Sequence, residues 1–165
     1  MNIFVLDANI KNCAKYHCDK HVVKMLLEAV QILCTVCSKA GIKVPYKATH
    51  HEHPCVLWAG KSIQNWHWLK KLVIALNEEY KYRYYKNVDH KSFTVVIKLL
   101  EPKLPNLGLT EFCQTMPKEF RILGYPIRAY RYYYISVKHG IAKWTRRKVP
   151  GWFKDIQIKN LQIIK

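Results

Sequence analysis

The stretch YHCDKHVVKMLLEAV, residues 16–30, decides how the chain folds. At 100° per residue, His17, His21, Lys24 and Glu28 fall on one line, and Gln31 extends it. Almost everything else from Val22 to Val36 is apolar: Val22, Val23, Met25, Leu26, Leu27, Ala29, Val30, Ile32 and Leu33. A surface helix carries a broad polar face, so a polar seam about one residue wide predicts a helix wrapped by the core on most sides. Such a seam either sets its carboxylate at the floor of a groove or is an ordinary solvated edge.

Working outward, the β-prone residues Asn2 to Leu6 read as an extended lead-in. Asp7 or Asn9 is placed to cap a first helix that runs to about Lys39 and stops before Gly41. Residues 42–54 form a loop closed by Pro45 and Pro54. A second long helix is expected from about Pro54 to Lys86, with Trp58, Trp66, Leu69, Leu72, Val73 and Leu76 at helical spacing. Residues 87–100 suit a short helix capped by Asp89 or a strand; with no partner strand in view, helix is the better reading. Pro102, Pro105 and Gly108 mark a loop, a short helix follows near Thr110 to Thr115, and Pro126 opens a last long helix to about Arg146. Pro150-Gly151 then breaks the chain. Three long helices with short ones between them predict an all-α, compact single domain over residues 1–165.

At 165 residues, half of them hydrophobic, the chain supports one real core. No run reads as the roughly 18 apolar residues of a membrane span, and MNIFVLDAN lacks the basic start and apolar stretch of a signal peptide, so an intracellular protein is expected. Cys13, Cys18, Cys34, Cys37, Cys55 and Cys113 then read as thiols, with Cys34 and Cys37 buried on a core helix. Lys and Arg number 28 against 11 acids, a net charge of +17 spread through the whole chain. That points to a polyanionic partner. Aromatic rings interleave with the cations in EYKYRYYK and RAYRYYYISVKHGIAKW, as suits stacking on bases while cations meet phosphate.

No glycine loop for phosphates, no G-x-S-x-G elbow and no H-E-x-x-H pair is present. His17 and His21 stand one turn apart, and His50, His51, His53 and Cys55 cluster ahead of the second helix. His17, His21, His53 and Cys55 therefore make one candidate metal set, although their spacing matches no common zinc module.

Asp19-Lys20-His21 followed by Glu28 resembles the first helix of the phage endonuclease V type of pyrimidine-dimer DNA glycosylases, where a D-x-H segment precedes the catalytic glutamate at the same distance. His53 leading to Trp58, Lys61, Glu79 and Arg83 is a second likeness. Pro117-Lys118-Glu119-Phe120-Arg121 is similar to that family's P-x-E-F-R, and Pro150-Gly151-Trp152-Phe153-Lys154 to its terminal P-x-W-aromatic-K. The four likenesses occur in the family's order. The run YHCDKHVVKM is also similar to viral reading frames.

The resemblance implies an endonuclease V-like all-α fold and cleavage of the glycosidic bond of the 5′ base in a pyrimidine dimer. It also implies an abasic-site lyase step through an imine to the N-terminal amine. Glu28 then takes the carboxylate role, and the start of the chain, Met1 and Asn2, the amine role. No cofactor is implied, and the partner is damaged double-stranded DNA, bound by a monomer. His17, His21, Lys20, Lys24, Arg121, Arg128, Arg131, Trp152 and Lys154 are the candidate DNA contacts, with Lys143, Arg146 and Arg147 beside them. Rings at Tyr82–Tyr85 and Tyr130–Tyr134 are candidates to hold an extruded base. Trp152 and Phe153 also suit packing on the core, which for Trp152 is the better reading.

The chain departs from the family's pattern in three ways. About five more residues separate the N-terminus from the glutamate, so residues near Lys11 to Lys15 must loop out. The bulk of Asn2 predicts that Met1 is retained, and Leu27 and Gln31 replace two arginines. Two other readings stay open: a DNA- or RNA-binding module without catalysis, and a metal-dependent enzyme of nucleic acids or nucleotides.

Overall fold

A computed structural model of the protein describes residues 1–154, and within them every regular element is helical. The helices are α1 (Ile10–Tyr16), α2 (Asp19–Lys39), α3 (Pro54–Lys61), α4 (Ile63–Tyr84), α5 (Lys91–Val96) and α6 (Pro126–Lys138). Two 3-10 turns, Lys118–Phe120 and His139–Ile141, flank α6. The three longest helices, α2, α4 and α6, match the expected all-α plan.

The narrow polar seam of α2 is explained by its position. It packs on α4 most extensively and also on α3 and α5, and Val22, Leu26, Val30, Leu33 and Cys37 are fully buried. By length and composition Asp19–Lys39 would suffice to cross a membrane, contrary to the reading that no run reaches that length, but 67% of that window is buried inside the fold. Its apolar surface is the core. Gly41, at φ +78°, ends the helix in a Schellman motif, with Gly41 N–H donating to Ser38 O and Ile42 N–H to Cys37 O, both at 3.0 Å.

The expected single helix to Lys39 is two. His17 and Cys18 are extended, so α1 stops and α2 restarts. Arg83, from the last turn of α4, holds the break open. Its guanidinium donates to Lys15 O and His17 O, each at 2.8 Å, while Tyr134 Oη accepts the Cys18 N–H at 2.9 Å. Burying this guanidinium is tolerable because Glu79 (2.9 Å) and Asp19 (3.2 Å) neutralise it. Asn9, of the two candidates, caps α1 by accepting the Asn12 N–H.

The second expected helix also divides, at Ser62, whose hydroxyl caps α4 by accepting the Asn65 N–H. Residues 91–96 are helical, capped by His90 rather than Asp89. Residues 110–115 are not a helix, because distant side chains satisfy their backbone: Asn65 Oδ1 accepts from Thr110 N–H, and Thr115 O accepts from Asn2. The last long helix ends at Lys138, eight residues before the expected Arg146.

The expected extended lead-in is instead irregular, turning at Phe4, and it pairs with no strand among the described residues. Ile3, Phe4, Val5 and Leu6 are all buried. Phe4 lies in the left-handed region at φ +37°, a costly conformation for a bulky residue. Its ring is held among His21, Tyr130, Tyr133 and Tyr134, with centroids 4.6–6.1 Å away.

Candidate active site at the amino terminus

The buried lead-in carries the first two residues to the middle of α2. There the Asn2 backbone N–H donates to Glu28 Oε2 at 2.9 Å. From that contact and standard backbone dimensions, the Met1 amino nitrogen lies within about 6.5 Å of the carboxylate. Glu28 Oε1 faces Lys24 Nζ at 3.7 Å, and the carboxylate stays 15% exposed. It is neither sealed in hydrocarbon nor fully solvated.

Asn2 fixes this geometry with its backbone N–H and both polar atoms of its side chain. Its Oδ1 accepts the N–H groups of Ile3 (2.8 Å) and Phe4 (3.1 Å), stabilising the turn that brings Phe4 to positive φ. Its Nδ2 donates to Thr115 O at 2.9 Å. Thr115 is in turn tied to α6, since the Tyr130 hydroxyl lies 3.1 Å from Thr115 Oγ1 and donates to Cys113 O at 2.8 Å.

His53 and Cys55 complete the surroundings. His53 is the N-cap of α3, its Nδ1 accepting the Cys55 N–H at 3.2 Å, so the neutral ring carries its proton on Nε2. Partial burial pushes its pKa down first, then the positive charges of the N-terminal amine and His50. Glu28 and a hydrogen bond to the Met1 backbone oppose this. Cys113 donates to Cys55 Sγ across 3.7 Å. That bond, helped by Thr115 and by the amine's charge, lowers the Cys55 pKa against burial, and the partner thiol Cys113 is raised.

An amine, a carboxylate, a neutral imidazole and a thiol pair thus meet at the end of the lead-in. A primary amine beside a carboxylate is equipped for imine chemistry, because the carboxylate can stabilise the iminium charge and move protons. The fold brings together Glu28, Met1 and Asn2, the residues expected from sequence. Thr115 and Cys113 lie outside the expected site residues, and Tyr130 is expected only as a ring for an extruded base; these three reach the site only through the tertiary fold. None of the three carries a local sequence signal that ties it to Glu28.

Several candidate contacts are corrected. His17 is fully buried, its Nδ1 donating to Cys13 O at 2.8 Å, and His21 is 5% exposed against Phe4. Neither offers an edge to phosphate. Burial pushes the His17 pKa down to about 4 and that of His21 to about 3. Arg131 is committed inward: it donates to Leu6 O (2.8 Å) and Asp7 (2.9 Å) and stacks over Tyr16 and Trp152. Tyr130 and Tyr134 are fully buried, so neither can hold a base. Trp152 packs edge-on against Tyr16 and Tyr134, and Phe153 is buried against Trp144.

Among the described residues no three His, Cys, Asp or Glu side chains converge on a metal-sized site, so the set His17, His21, His53 and Cys55 is not brought together. Lys20, Lys24, Arg121, Arg128 and Lys154 are exposed. Arg147 is paired with Glu79, and Arg146 stacks on Tyr82 and Tyr85.

One comparison with known proteins falls on the part of the chain that carries Glu28. The family model described as pyrimidine dimer DNA glycosylase matches residues 1–92, which include the lead-in, Glu28, His53 and Cys55. Neither curated proteins nor solved structures give a match.

Proposed function

Because the chain belongs to the pyrimidine dimer DNA glycosylase family, we propose that it is a DNA glycosylase with abasic-site lyase activity on damaged pyrimidines in duplex DNA. The N-terminal amine is the nucleophile and Glu28 its carboxylate partner. The observation that carries this reading is the 2.9 Å contact between Asn2 N and Glu28 Oε2, which ties the start of the chain to the carboxylate.

The amine attacks the sugar C1′ as the C1′–N bond to the damaged base breaks, and the base leaves with a proton. Loss of the amine's proton and opening of the sugar ring give an iminium at C1′. Removal of a C2′ proton then expels the 3′ phosphate by β-elimination, and water hydrolyses the imine to free the amine. Glu28 supports two of these steps: it offsets the iminium charge and it carries protons. An α-amino group has a pKa near 8, so a useful fraction is unprotonated around neutrality. Met1 as the first residue places the amine one residue from the carboxylate; removal of Met1 places it at the Asn2 nitrogen, in direct contact.

Nicking of ultraviolet-irradiated duplex DNA tests the reading. The wild-type protein cleaves at dimers, and Glu28→Gln, which keeps an acceptor for the Asn2 N–H, loses about 100-fold or more. Salt-sensitive duplex binding without nicking by the wild type would identify a binding module instead.

A further inference from the structure

Leu123 is the most exposed large hydrophobic side chain among the described residues, 93% open to solvent. A single exposed leucine is unremarkable on a protein surface. This one is held out by construction. Ile122, Leu123, Gly124 and Tyr125 form a β-turn closed by Tyr125 N–H donating to Ile122 O at 3.0 Å. Gly124 occupies the third position at φ +74°, as a type II turn requires. The base of the turn is clamped by one side chain, Gln114, whose Oε1 accepts the Ile122 N–H at 2.9 Å and whose Nε2 donates to Ile122 O at 2.7 Å.

The clamp connects the turn to the candidate active site. Gln114 is the neighbour of Thr115, whose carbonyl accepts the Asn2 side chain at 2.9 Å. Three contacts therefore lead from the start of the chain to the base of the Leu123 turn. Cations flank the tip. Arg128 lies over the exposed Tyr125 ring at 5.5 Å, Arg121 is oriented by its Nε bond to Met116 O, and Lys118 opens the preceding turn. None of the three forms an ion pair among the described residues.

A rigid apolar tip flanked by cations that form no ion pair among the described residues matches the two layers of a duplex, stacked bases inside and phosphates outside. We propose that Leu123 is a wedge that enters the base stack beside the lesion and fills the space left when a nucleotide is displaced. The proposal rests on the reading of duplex DNA as the substrate. An enzyme that extrudes a nucleotide must compensate for lost stacking, and apolar side chains inserted between base steps do this in proteins that kink DNA. Prior clamping of the turn means that little conformational freedom is lost on insertion.

The test uses a duplex carrying a tetrahydrofuran abasic analogue with 2-aminopurine beside it. The analogue has no aldehyde, so the readout is independent of imine formation. Saturating wild-type protein raises 2-aminopurine fluorescence as its stacking is broken. Leu123→Ala, which melts at the wild-type temperature because the side chain touches solvent, binds the duplex but loses the rise, and Leu123→Phe restores it. An equal rise with Leu123→Ala, no rise with saturating wild type, or no duplex binding at all would overturn the wedge. Borohydride trapping on aldehydic abasic DNA, run with the same preparations, reports the amine chemistry separately. A lost adduct with an intact fluorescence pattern would reject the imine mechanism alone.

Discussion

Asn2 and Glu28 are 26 residues apart in sequence, yet the backbone N–H of one donates to the carboxylate of the other at 2.9 Å. Two sequence features cause this. The lead-in is apolar enough to be buried, and the interruption at His17–Cys18 sets residues 10–16 apart as α1, packed on α4, where the sequence leads one to expect residues near Lys11 to Lys15 to loop out.

The contact separates chemistry from stability at Glu28. Glu28→Gln leaves a neutral hydrogen bond and is expected to shift the unfolding free energy by about 1 kcal/mol, while cleavage falls about 100-fold or more. Glu28→Ala leaves the Asn2 N–H without its acceptor and is the less stable of the two in urea unfolding. A Glu28→Gln protein with wild-type nicking would remove Glu28 from the chemistry.

Arg83 is the structural counterpart of Glu28, a buried charge with no role at the site. Arg83→Ala strands the carbonyls of Lys15 and His17 and leaves Glu79 with Arg147 as its one remaining charged partner, and a loss of about 3–5 kcal/mol is expected. Arg83→Lys rescues little, because one ammonium cannot span the partners of the planar fork. Chemical denaturation of both variants checks this, and near-wild-type stability of either would contradict the account of the helix break.

Acid sensitivity follows from His17 and His21. Both have folded pKa values below 6.5, at about 4 and about 3, so the unfolded chain binds protons that the folded chain refuses. Their contribution to stability is fully present above pH 6.5 and is lost as the pH falls toward 4. The slope is up to about 1.4 kcal/mol per pH unit for each histidine. His21→Phe, which keeps the ring against Phe4 and Tyr134, should flatten the decline in urea midpoints between pH 6.5 and 4.

The cations divide into two groups that salt dependence can resolve. Lys24→Gln and Arg128→Gln are each expected to lower the slope of log K against log salt by about 0.9, the value for one lost phosphate contact. Arg131→Gln leaves the slope unchanged and lowers stability by about 1–3 kcal/mol, since its bonds to Leu6 O and Asp7 are internal. A reduced slope for Arg131→Gln would place that guanidinium on DNA.

The helical plan was legible because its signals are local: the seam on α2, the aromatic spacing of α4 and Pro126 at the first turn of α6. Ser62 as a cap was legible too, standing three residues before Asn65, but the apolar periodicity running through it hid the break. The interruption at His17–Cys18 was not readable. It depends on Arg83 and Tyr134, which are 66 and 116 residues from their partners. The same cause kept the expected helix at 110–115 from forming. At the site, Glu28 was visible from its helical register, whereas Thr115 and Cys113 belong to it only through Asn2 and Tyr130. Arg131 was misread because charge alone does not show which way a guanidinium points.

Peptide mapping after borohydride reduction on abasic-site duplex DNA tests the central claim most directly. The reduced adduct should lie on the peptide that begins at Met1, or at Asn2 if Met1 is removed, with its mass on the α-amine and with loss of the adduct when that amine is blocked. An adduct on a lysine side chain, or none at all, would contradict it.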